Sequence, residues 1–142
     1  MKIGDETQEG FIFDIKGDVV FECQKEDFHR KLNWEDANKL YKKEDEEINW
    51  NDEISKCYKG NYPKKIYWGD IWRLPTKEEL NLMYLNLHEN NIGGFADYFH
   101  WSSSEYDASN AWDQFFYNGL QYNTNKNYTL YVRAVRDFKI GE

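Results

Sequence analysis

Apolar residues crowd into short runs at both ends of the chain and recur at helical spacing in its middle. Phe11-Ile12-Phe13-Asp14-Ile15 and Val19-Val20-Phe21-Glu22-Cys23 are rich in β-branched and aromatic residues and flank Lys16-Gly17-Asp18. That arrangement predicts an N-terminal β-hairpin. Asn33 stands where it can cap a helix running from Trp34 toward Glu46, with Trp34, Ala37, Leu40 and Tyr41 as its apolar stripe. Thr76 followed by Glu79 reads as a capping box. Leu80, Met83, Tyr84 and Leu87 continue it as a second helix that Gly93-Gly94 would stop. From there to Phe138 the pattern is one of short strands and turns. Helices in the middle with strands at both ends predict an α+β domain whose terminal strands pair.

The sharpest turn signal is Asn118-Gly119, because both residues tolerate positive φ. A two-residue hairpin there sets Tyr117 opposite Leu120, Phe115 opposite Tyr122 and Asp113 opposite Thr124. Side chains alternate along a strand, so these six share one face, and Trp112, Gln114, Phe116 and Gln121 take the other. The first face mixes aromatic and small polar residues, which is the composition of a recognition surface.

Composition narrows the possibilities. A chain of 142 residues fits one domain, taken here as 1–142. Its net charge of −8 repels phosphate backbones, so no nucleic-acid partner is expected. An aromatic content of 18% is too high for a disordered acidic protein. Met1 to Glu6 contains no apolar leader, and no long apolar run follows. The reading is therefore no signal peptide and no membrane span, with a cytoplasmic or virion-associated location favoured. Cys23 and Cys57 are read as free thiols in a reducing setting, although spacing alone leaves a bridge open. Oligomeric state is not legible.

Catalytic patterns are missing from the sequence. His29, His88 and His100 lack metal-ligand spacing, and the acidic stretch Glu44 to Glu53 lacks the ligand spacing and glycine turn of a calcium loop. Ser102-Ser103-Ser104 is not set in a Gly-x-Ser-x-Gly elbow. The expectation is a non-enzymatic chain with no cofactor and no metal. Arg73, Arg133 and Arg136 are candidates for an anion site. As scaffold they would pair with carboxylates or brace carbonyls, and that role is preferred.

An ordered series of motifs carries a family resemblance. Gly10-Phe11-Ile12-Phe13, Trp34-Glu35-Asp36-Ala37, Trp72-Arg73-Leu74-Pro75-Thr76-Lys77-Glu78-Glu79-Leu80, Trp101-Ser102-Ser103-Ser104-Glu105, Ala111-Trp112 and Val132-Arg133-Ala134-Val135-Arg136 together resemble the Lcl C-terminal-like domain family of bacteria and phages, over about residues 10–138. The resemblance implies a C-type-lectin-like fold, two helices around small antiparallel sheets with adjacent N- and C-terminal strands. It also implies adhesion and ligand binding, sulfated glycans included. The calcium motifs of calcium-dependent lectins are absent. So is the C-terminal cysteine pair needed by the formylglycine-generating enzyme, which shares that general fold.

A second resemblance concerns residues 106–131, which look like the variable region of proteins diversified by retroelements. Randomising the first two bases of an Asn codon cannot yield Lys, Glu, Gln, Met or Trp. Between Tyr106 and Tyr131 only Trp112, Gln114, Gln121 and Lys126 belong to that excluded set. Tyr106, Asp107, Ala108, Asp113, Phe115, Tyr117, Leu120, Tyr122, Thr124, Tyr128, Thr129 and Leu130 are all reachable and form the candidate ligand-binding set. Trp72, Arg73, Pro75, Trp101, Trp112, Gly119, Arg133 and Arg136 form the candidate scaffold. The expected function is recognition of a protein or cell-surface ligand through the aromatic hairpin. The alternative is a fixed carbohydrate-binding adhesion domain or, further off, an enzyme of the same fold.

Overall fold

The structure, a computed structural model, describes residues 1–41 and 72–140. Among these residues the architecture is mostly β. One antiparallel sheet has the order β1 (Gly10–Lys16), β2 (Val19–Gln24), β6 (Val135–Lys139); the other has the order β3 (Phe99–Glu105), β4 (Asn110–Phe115), β5 (Gln121–Asn125). Two short helices accompany them, α1 (Trp34–Tyr41) and α2 (Lys77–Asn86), the latter followed by a 3₁₀ turn at His88–Asn90.

This corrects the expected C-type-lectin-like α+β fold. Two three-stranded sheets, rather than two helices packed around small sheets, organise the described residues, and the C-terminal strand β6 adjoins β2 and not the first strand β1. The helices are of 8 and 10 residues, too short to form a layer of their own. α2 instead fills the space between the sheets, packing on β1 on one side and on β3 and β4 on the other. Its start is as expected: the Thr76 side chain accepts from the Glu79 amide at 3.2 Å, and Glu79 accepts from the Thr76 amide at 2.9 Å. It ends earlier than Gly93-Gly94, with Leu87 as its C-cap and a left-handed Asn91 closing the 3₁₀ turn.

The N-terminal hairpin turns at Gly17-Asp18, where Lys16 pairs with Val19 and Gly17 takes a φ of 62°. A bulge between Ile12 and Asp14 lets Ile12 and Phe13 both bury completely. Phe13, Cys23, Leu80, Met83, Leu87, Phe95, Phe116 and Val135 make one core cluster, between the sheets and around α2. Cys23 is a free, buried thiol, and burial pushes its pKa up to about 11 despite the nearby Arg133 guanidinium. A second cluster joins Leu32, Ala37, Trp72, Leu74, Trp101, Ala111, Val132 and Ala134 beneath α1.

One extended segment, Leu130 to Val135, ties the halves together. It bonds to Phe99 and Trp101 of β3, to Gln24 at the end of β2, to Phe28 and Leu32 beyond it, and to Arg73 before α2, then continues as β6 beside β2. No helix among the described residues is long and apolar enough to cross a membrane. The expected extension of the first helix to Glu46, the acidic stretch Glu44 to Glu53, and Cys57 lie outside the described residues.

Candidate functional site

The hairpin that carries the expected binding face has a different register from the one its turn signal suggests. Asp113 pairs with Tyr122 and Ala111 with Thr124, and the Phe115 amide bonds to the Leu120 carbonyl. The loop is therefore the four residues Phe116 to Gly119, not two. The Phe115 carbonyl accepts from the amides of both Asn118 and Gly119, and Gly119 has a φ of 82°. Two contacts explain the shift. Phe116 buries fully against Phe95 and His100, and the Gly119 backbone lies so close to the Tyr84 ring that a Cβ would meet it at 2.4 Å. Tyr117 consequently leaves the strand and stands at the loop tip.

The register shift is by an even number of residues, so the face assignment of the strand residues survives. On the inner face Gln114, fully buried, donates to Asn81 and to the Gly119 carbonyl, and Gln121 donates to the Lys77 carbonyl. Trp112 is half-buried rather than in the core, with the Lys77 ammonium 3.6 Å from its ring centre and Tyr106 edge-on at 5.4 Å. Trp101 is fully buried, and its indole donates to the Leu32 carbonyl.

The outer face divides. Toward α1 it is closed over by the second core cluster; toward the hairpin loop it is an aromatic shelf. Phe99 stacks on Phe115 at 4.4 Å and lies 5.9 Å from Tyr122, while Tyr117 leans on Phe115 at 5.8 Å. Tyr98 stacks on Tyr131 at 5.8 Å beside them. Tyr98, Tyr117, Leu120 and Tyr122 are exposed to 59%, 73%, 55% and 41%. A cleft of about 400 Å³ lined by Lys31, Tyr98, Phe99, Thr129, Leu130 and Tyr131 continues the shelf through Phe99. The structure thus joins Phe115, Tyr117, Leu120, Tyr122, Thr129 and Leu130 of the candidate set, and adds Lys31, Tyr98, Phe99 and Tyr131. Strand pairing explains the addition of Phe99, which lies opposite Phe115 in the sheet.

Other candidates lie elsewhere. Tyr106, Asp107 and Ala108 belong to the turn between β3 and β4. There the Asp107 carboxylate accepts from the Ser109 and Asn110 amides, which hold its pKa low. That turn borders a polar groove of about 590 Å³ between α1 and the β4–β5 end, where Lys126 binds Glu105 and the Ala108 carbonyl and lies over Trp34. Tyr128 is exposed in the segment after β5. Asp113 is on the shelf's face but only 1% exposed; the Thr124 hydroxyl donates to its Oδ2 at 2.9 Å, and Oδ1 has no partner. Burial raises its pKa to about 7, against the smaller opposing pull of that hydroxyl.

The arginines are held as scaffold. Arg133 donates to Asp27 at 2.9 Å and to the carbonyls of Gln24 and Gly93, and Asp27 also receives the Ala96 amide and faces His100 at 3.0 Å. Arg136 binds buried Glu22, and Arg73 binds Glu79 and Asp137. Pro75 is buried, and its carbonyl accepts from the Ser103 amide. Trp72 is buried with Arg136 over its ring. Asp27 had no sequence signal: its partners lie 73 and 106 residues away, and no periodicity marks it.

The family model of the Lcl C-terminal domain matches residues 25–136. That span takes in α1, α2, the whole β3–β4–β5 sheet and the start of β6. A comparison with curated proteins finds no match.

Proposed function

The chain belongs to the Lcl C-terminal domain family, and from that premise we propose that it is a non-enzymatic recognition module that binds a protein or cell-surface ligand through its aromatic shelf. One observation carries the reading: Tyr98, Phe99, Phe115, Tyr117, Leu120 and Tyr122 form a contiguous aromatic and apolar surface with much of it in solvent. Leaving several large aromatics in water forgoes on the order of 2 kcal/mol each, and contiguous patches of this kind mark interaction sites. Tyrosine supplies wide, rigid contact area with few rotamers to freeze.

A finer proposal is that residues 106–131 are diversified. In its support, Trp112, Gln114, Gln121 and Lys126 all hold scaffold contacts, whereas most codon-reachable candidates face solvent. An adenine-rich near-copy of this coding segment beside a reverse-transcriptase gene is the genomic result expected. The binding proposal is tested by screening displayed peptides and immobilised glycans with the wild type and with a Tyr98→Ala/Tyr117→Ala/Tyr122→Ala variant. Hits that vanish in the variant, with an almost unchanged melting temperature, support it. Hits that persist move recognition to another surface.

A further inference from the structure

Ring–cation contacts in this molecule are plentiful, but they stop at the shelf. Lys77 lies over Trp112, Lys126 over Trp34, Arg133 over Phe95 and Arg136 over Trp72. At the edge of the shelf Lys31 approaches Tyr131 at 5.9 Å. Among the described residues no cation lies over Tyr98, Phe99, Phe115, Tyr117 or Tyr122. Phe99 and Phe115 cover one face of each other and Tyr98 stacks on Tyr131, so the faces left over, negative at the π cloud, meet no cation among the described residues, on a chain of net charge −8.

Asp113 adds an independent observation. It stands in register between Trp101 on β3 and Tyr122 on β5, two residues along from Phe115 and so next to it on the same face. Its Oδ1 is buried and unpartnered, which leaves a strong acceptor without a donor in the interior. The titratable groups on the surrounding elements do not supply one. Glu105 on β3 is bound to Lys126, His100 on β3 faces Asp27 on the opposite side of the sheet, and Tyr122, Tyr128, Tyr131 and Lys31 make no bond to it.

Resting on the shelf reading above, we propose that the partner is a basic polypeptide segment, with an arginine or lysine side chain laid over the Phe99–Phe115–Tyr122 rings and Asp113 as its counter-ion. Asp113 is only 1% exposed, so the docking cation reaches Oδ1 by displacing the side chains that cover it. An arginine suits the site best, because its planar guanidinium stacks on a ring face while its N–H groups donate to a carboxylate. Asp113 must be ionised to act, so binding strengthens as pH rises through neutrality and protons are released when the cation docks.

The test is an amide NMR titration of the full chain with a blocked Gly-Arg-Gly-Arg-Gly peptide and with its citrulline counterpart, which keeps the shape and removes the charge. The arginine peptide is expected to shift the amides of Phe99, Asp113, Phe115 and Tyr122, and to bind about tenfold more tightly than the citrulline peptide. Its affinity should be several-fold higher at about pH 8 than at about pH 5. Asp113→Asn should flatten that pH dependence, and Phe115→Leu, which removes a ring but keeps bulk, should weaken binding at both pH values. Equal affinity for the two peptides, an Asp113→Asn variant with an unchanged pH profile, or no binding of the arginine peptide overturns the inference. A chitotetraose arm separates this failure from failure of the shelf itself: the same amides shifting with the neutral sugar alone would keep the binding surface and replace the basic ligand.

Discussion

Asp27, partly buried, and Asp113, buried, have opposite fates. Asp27 lies where three parts of the chain meet, and burial alone would push its pKa up. Hydrogen bonding with His100, the Arg133 guanidinium and the Ala96 amide together outweigh burial and hold it below the usual carboxylate range. Asp113, on the other sheet face, has burial too but only the Thr124 hydroxyl against it, and titrates near 7. The difference teaches that depth does not set the charge state of an interior acid; the donors aimed at it do. Both Asp27 oxygens meet donors from the chain itself, although Arg133 Nη2 beside them has no acceptor, whereas Asp113 leaves an oxygen and a row of rings unmet.

The harshest way to break the comparison is Asp27→Ala. It leaves Arg133 buried without its counter-ion, so denaturant unfolding should show a loss of about 3–5 kcal/mol. A loss under about 1 kcal/mol would mean that the carbonyls of Gln24 and Gly93 suffice to hold the guanidinium. Next in size is the pH dependence. The fold favours the protonated form of Asp113, so its contribution is complete below the ordinary carboxylate pKa of about 4. It is lost as pH rises from there through about 7. The decline should be on the order of 2–4 kcal/mol, and Asp113→Asn, unable to ionise, should escape it and exceed the wild type in stability at alkaline pH. Asp27 runs the other way: its stabilisation holds at neutral pH and fades as pH falls through its lowered pKa. A stability profile identical in wild type and Asp113→Asn would remove Asp113 from the account.

Smaller effects sharpen the boundary between scaffold and shelf. Trp112→Ala should cost about 1–2 kcal/mol, below the 3–5 of a core aromatic, because this indole is half-buried and loses mainly its Lys77 contact. Thermal melts at one pH decide it. Tyr117→Ala, at the exposed loop tip, should fall within about ±0.5 kcal/mol. A melting loss comparable to that of Trp112→Ala would show the tip to be structural.

Local chemistry was legible from the sequence and long-range chemistry was not. The capping box at Thr76 and Glu79 and the Gly17-Asp18 turn involve residues within a few positions of each other, so their patterns are written contiguously. Asn118-Gly119 marks a turn, but its two-residue form loses to tertiary packing: burying Phe116 and seating Gly119 against Tyr84 outweigh the turn's intrinsic preference. The helix-rich lectin-like layering failed for a similar reason, since short helices are recruited wherever two sheets leave room. Parity along the strands identified which residues share the shelf's face, because an even register slip preserves it. It could not reveal that Asp113 on that face is covered, nor that Tyr98 and Tyr131 extend it, as both depend on the path of the segment after β5.

That segment has a consequence for synthesis. Leu130 to Val135 bonds to β3, to the stretch after β2 and to the residue before Leu74, and it is translated after all of them. A nascent chain lacking it has β2 without its β6 neighbour, Asp27 without Arg133, and β3 without its partner at Tyr131. The domain therefore cannot close before this segment has been made and released from the exit tunnel. Contacts this distant in sequence carry a large loop-closure cost, so slow folding is the expected outcome, to be checked by stopped-flow refolding.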